Sequence, residues 1–84
     1  MHRFDGIDIY QFIMKGVIVP ATIVHHIVPL EDNVDLKFDT TNLIPVSASS
    51  HYEIHRCYDM SAEDKKRMQD VLHFCASEYL KKYN

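Results

Sequence analysis

The apolar positions along the chain change period several times, and each change marks an element. Between Asp5 and Met14, the apolar Ile9, Phe12 and Ile13 recur at helical spacing and Gly16 follows as a C-cap, which predicts a short helix. Val17–Val19 and Thr22–Val28 are rich in β-branched residues and read as extended, with Pro20 breaking any helix between them. Pro29 favours an extended Val28 and so places His25 and His26 near a strand end. Glu31–Thr41 is polar and acidic, an ordered loop with Val34, Leu36 and Phe38 available to pin it down. Asn42–Val46 is a short strand whose pairing is limited by Pro45.

The rest of the chain is helical in pattern. Ser47 or Ser49 can cap a helix that carries His51, Tyr52, Ile54 and His55 and runs on toward Cys57 and Tyr58. Ser61 followed by Asp64 resembles a capping box, and Glu63 suits the first turn of the helix behind it. There Met68, Val71, Leu72, Cys75, Tyr79 and Tyr83 trace one apolar face, and Lys81 and Lys82 suit its C-terminal end. That face must cover a core or a second subunit. The elements add up to an α+β class, in one domain over residues 1–84.

Composition narrows the setting. A chain of 84 residues buries only about two thirds of its unfolded surface, so a metal or a partner subunit would add useful stability. The apolar runs are far too short to span a membrane, and no signal peptide follows Met1, so a cytoplasmic location is expected. Cys57 and Cys75 match no disulfide or zinc-knuckle spacing and read as buried thiols. Net charge is −3, from 12 acidic and 9 basic residues, the wrong sign for holding a polyanion by charge alone.

Candidate chemistry rests on histidines. His51 and His55 lie four apart on a predicted helix, so both rings leave one face and can share an ion. On an extended segment His25 and His26 point to opposite sides, so one can be a ligand while the other faces another part of the cleft. A strand doublet facing a helix pair suits a three-ligand site with one position open, as catalytic sites have. The remaining imidazole, with an ordinary pKa near about 6.5, could serve as general base. Asn42 could fix that ring through its amide, or be a turn asparagine. The competing reading is a set of polar histidines with structural or surface roles. His2 and His73 carry no spacing argument.

Taken together, the stretch from Val17 to His55, VIVPATIVHHIVPLEDNVDLKFDTTNLIPVSASSHYEIH, resembles the phage-type HNH nucleases. The resemblance implies a ββα-metal (His-Me finger) core over about residues 17–58, flanked by a short N-terminal helix and a C-terminal amphipathic one. It implies His26 as general base, Asn42 as the middle letter of the motif and a member of the catalytic set, and His25, His51 and His55 as metal ligands. It further implies one divalent ion (Zn, Ni, Mn, Co or Mg) and hydrolysis of DNA to 5′-phosphate and 3′-hydroxyl ends, in a bacterial or phage-infected cell. Where many relatives carry two Cys-x-x-Cys pairs, this chain has Ile9 and Phe12, then Ser47 and Ser50, so packing and capping stand in for a structural zinc. Tyr52 occupies a place where relatives often carry Asn.

Arg56, Lys65, Lys66 and Arg67 are candidate contacts to the phosphates of double-stranded DNA, or ordinary solvent-facing cations. Two alternatives accompany the nuclease reading. One is a weakly active or inactive DNA-associated module of a phage packaging or restriction assembly. The other is a structural metal domain closed by Asp35, Asp39 or a cysteine as fourth ligand. The apolar face of the last helix leaves both a monomer and a homodimer open.

Overall fold

A computed structural model describes residues 4–36 and 39–83. His2 and Phe38, both considered above, lie outside the described residues. The order is α1 (Ile9–Lys15), β1 (Ile23–His26), two short 3-10 turns (Val34–Leu36 and Thr40–Asn42), β2 (Leu43–Val46), α2 (Ala48–Met60) and α3 (Ala62–Tyr83).

Each helix begins where a side chain can satisfy its free amides. Asp8 caps α1 by accepting from the Gln11 amide, and Gly16 ends it at φ 69°, a left-handed conformation that glycine adopts without a Cβ clash. The helix starts later than the sequence predicts. Asp5 and Gly6 both have positive φ and form a turn, which no helix can include. Ser47, one of the two expected caps, starts α2 by accepting from the Ser50 amide. The Ser61 hydroxyl accepts from the Asp64 amide at 3.0 Å, the N-cap half of a capping box, while the Asp64 carboxylate accepts from the same hydroxyl at 2.9 Å rather than from the Ser61 amide.

The strands are shorter than their β-branched runs. β1 and β2 pair antiparallel, with Ile23 opposite Val46, His25 opposite Ile44 and His26 opposite Leu43. Val17–Val19 stays outside this sheet. Pro20 has no N–H to donate and makes only an isolated bridge to Ile7, while the Val19 carbonyl accepts from Asp8 and the Ala21 amide donates to Gly6. Ile18 is consequently 71% exposed. In the loop, Val34 is exposed rather than pinning the chain, and Leu36 is half-buried. Order there comes instead from polar turns: Asn33 accepts from the Asp35 amide, and Asp39 accepts from the amide and hydroxyl of Thr41.

The core lies between the inner face of the hairpin and the three helices. Ile27, Ile44 and Val46 from the strand segments meet Ile9 of α1, Ile54 of α2 and Leu72 of α3, all six fully buried. On α3, Met68, Leu72, Cys75, Ala76 and Tyr79 supply the inward stripe, so the amphipathic face of this helix covers the chain's own core. Tyr83, expected on that face, is half exposed, packing its ring edge-on against Phe12 at 5.3 Å. Among the described residues, no helix is long and apolar enough to cross a membrane.

Candidate metal centre

Alternation along β1 decides which histidine goes inward. Ile23, His25 and Ile27 share the face toward the helices, and His25 and Ile27 are buried; Val24 is half exposed and His26 half-buried on the other. His25 therefore meets α2, where His51, His55 and Tyr58 lie on one stripe at spacings of four and three. Its ring centroid stands 5.4 Å from that of His51, 5.6 Å from His55 and 5.5 Å from Tyr58. The intervening residues behave as their spacing predicts, Ile54 packing in the core and Tyr52 projecting outward.

The three imidazoles form a credible ligand set. One ring nitrogen from each of His25, His51 and His55 lies within 4.8 Å of the others, and among the described residues no carboxylate or thiol joins the group. His51 Nε2 and His55 Nε2 are 3.0 Å apart. Two bonds of about 2.0–2.1 Å from one ion at angles between roughly 90° and 110° place their nitrogens about 2.9–3.4 Å apart, so this pair fits chelation. Without an ion, the same separation suits a single shared proton. The donor chemistry thus accommodates a borderline cation such as Zn, Ni or Co, with Mg a poorer match to nitrogen ligands.

Burial favours the neutral, ligating form of His25 and His51. Burial, reinforced by His51, His55 and His26, lowers the His25 pKa to about 4, so this ring is neutral at physiological pH. Burial and then His55 likewise lower that of His51. A cation can bind neutral imidazoles without first displacing protons.

The centre opens into a cleft of about 330 Å³ lined by all four histidines together with Pro29 and Glu31. His26 is present at this cleft but outside the three-nitrogen group. Asn42 acts one step back from it. Its amide oxygen accepts from the Val28 N–H at 2.8 Å and its amide nitrogen donates to the Val28 carbonyl at 2.9 Å. The Asn42 carbonyl also accepts from the Ile27 N–H at 2.8 Å. Asn42 therefore positions the turn after His26 through the main chain, and its amide is committed there rather than to the ring. A second cavity, about 360 Å³ under Leu43, Ala76 and Leu80, carries no histidine, cysteine or carboxylate.

Three of the four cations expected at phosphates are paired with aspartates here. Lys65 pairs with Asp32 at 2.6 Å, Lys66 with Asp70 at 2.7 Å, and Arg67 with Asp64. Arg56 is exposed and makes no ion pair among the described residues. Lys65 clasps the acidic loop to α3, with its ammonium 6.0 Å from the Tyr58 ring, and so fixes the segment that presents Glu31 to the cleft.

Sequence reasoning did not single out three residues that shape the centre. Tyr58 continues the His51 and His55 stripe, a signal that was available. Asp8, fully buried, accepts from the Ser47 amide at 2.8 Å and the Ser47 hydroxyl at 2.7 Å while capping α1. It ties the starts of α1 and α2 together. Glu31 carries no sequence signal beyond its place in an acidic loop. Comparison with protein-family models, curated proteins and solved structures finds no match to this chain.

Proposed function

We propose that the protein is a metal-dependent endonuclease of the HNH type, built on a ββα-metal core formed by β1, β2 and α2, that hydrolyses phosphodiester bonds of double-stranded DNA. The observation that carries this reading is a three-histidine group, buried at His25 and exposed at His55, open to a cleft that also holds a fourth histidine outside the group. An open coordination position beside a free base distinguishes a catalytic arrangement from a closed structural one.

His25, His51 and His55 would hold one divalent ion. When bound, that ion supplies Lewis-acid stabilisation of charge developing on the phosphate and leaving oxygens. His26 takes a proton from the attacking water; products are 5′-phosphate and 3′-hydroxyl ends. Asn42 keeps His26 at the cleft by holding the Val28 backbone. A positioned base contributes about 100- to 10,000-fold in rate.

The test is cleavage of supercoiled plasmid by purified protein with Mg, Mn, Co, Ni or Zn, beside His26→Ala. Metal-dependent cleavage that His26→Ala abolishes while sparing metal binding is expected. Equal cleavage by the variant would remove His26 from its role. The ratio of nicked to linear product reports whether one chain or a homodimer acts.

A second reading is favoured by the paired cations: a module of low intrinsic DNA affinity that depends on a packaging or restriction assembly to bring DNA to it. A folded, metal-binding protein that cleaves with no ion would support that reading over the first.

A further inference from the structure

We infer that Tyr58 is a positioning residue that fixes the tautomer of His25, so that this histidine offers Nδ1 to the ion. The inference rests on the reading of His25, His51 and His55 as a metal site.

Donor count decides the tautomer. The Tyr58 hydroxyl lies 2.5 Å from the Ile27 carbonyl oxygen and 3.3 Å from His25 Nε2. A phenol has one proton, and a carbonyl can only accept, so that proton goes to Ile27. The oxygen lone pair left over faces His25 Nε2, which must then carry a hydrogen and donate. The opposite assignment sets two lone pairs against each other between side chains that are 5% and 9% exposed, where little water can intervene. With hydrogen on Nε2, the lone pair of a neutral imidazole is at Nδ1.

Tyr58 is well placed for this task. It lies on the same stripe of α2 as His51 and His55, and its two partners, His25 and the Ile27 carbonyl, are two residues apart on the same strand segment. One hydroxyl thereby sets the orientation of the strand ligand relative to the helix ligands. Hydrogen-bond acceptors behind ligating histidines commonly raise metal affinity about 10- to 100-fold.

The proposal is tested in two measurements on the full chain. Long-range proton–nitrogen correlation spectra of the ¹⁵N-labelled, metal-free protein at neutral pH read the tautomer of each histidine. His25 is expected as the Nε2–H form in the wild type and as a mixture in Tyr58→Phe, which keeps the ring and removes only the hydroxyl. Zinc titration should then give an affinity about 10- to 100-fold weaker in the variant, and zinc should shift Nδ1 of His25 in the wild type. A wild-type His25 in the Nδ1–H form, or a variant unchanged in both tautomer and affinity, overturns the proposal. The wild-type spectrum needs no variant, so instability of Tyr58→Phe would not remove the test. Failure of the metal reading looks different: zinc would leave the His51 and His55 resonances unmoved.

Discussion

Replacing Asp8 with asparagine tests whether one buried carboxylate holds the frame of the site together. Asp8 is fully buried and accepts from the Gln11 amide at 2.8 Å, the Ser47 amide at 2.8 Å and the Ser47 hydroxyl at 2.7 Å. An asparagine keeps one acceptor oxygen and turns the other into a donor. If the oxygen stays on Gln11, the new NH₂ group faces the Ser47 amide, whose buried donor is left unsatisfied at a cost of about 1–3 kcal/mol. The Ser47 hydroxyl can reverse and accept from that group, so it adds little. If the side chain flips, the α1 cap is lost instead, for about 0.5–2 kcal/mol. Asp8→Asn should therefore lower stability by about 1–3 kcal/mol. Asp8→Ala removes all three bonds at about 3–5 kcal/mol, close to the whole stability of a domain this small. Urea unfolding followed by circular dichroism measures both, with the midpoint moving and the slope unchanged for the asparagine variant. A midpoint shift worth less than about 0.5 kcal/mol in both variants would refute the reasoning.

Three further outcomes follow from the same geometry. Asn42→Ala removes both amide bonds to Val28 and should cost about 1–3 kcal/mol in chemical denaturation, with DNA cleavage falling more than zinc affinity; unchanged stability would contradict the backbone role. In the metal-free protein, the pKa of His25 is lowered to about 4, chiefly by burial, against about 6.5 unfolded, so the unfolded chain binds more protons between these values. Stability is then fully present above about pH 6.5 and lost as pH falls toward about 4, which thermal unfolding across that window reads directly; a flat profile would count against it. Asp32→Asn together with Asp70→Asn should free Lys65 and Lys66 and tighten duplex DNA binding in fluorescence polarisation. Each freed cation that reaches a phosphate should steepen the salt dependence by about 0.9 in log–log slope, whereas unchanged affinity and slope would mean that neither cation faces DNA.

How far the sequence could be read depends on whether the deciding force was local. The α2 and α3 starts were legible because Ser47 and Ser61 each satisfy the amide three residues further on. That His25 and His26 turn to opposite sides followed from strand alternation once the segment was taken as extended, whereas which of them faces inward depends on the packing of Ile23 and Ile27 against the helices. Val17–Val19, read as extended, joins no sheet because its available partner is the turn before α1, reached across Pro20. Asp8 and the Lys65–Asp32 pair lay beyond local reading, joining residues 39 and 33 positions apart. The pairing of Lys65, Lys66 and Arg67 with aspartates was likewise not legible: nothing in the order of residues says that aspartates will take up those cations.

The central claim is that His25, His51 and His55 hold one ion with a position left open for chemistry. An anomalous difference map from crystals soaked in zinc or cobalt tests it most directly. One strong peak shared by a nitrogen from each of the three rings, with a water toward the cleft and His26 unligated beside it, is the expected result. No peak at this site, or an ion closed by a fourth protein ligand, would contradict the account.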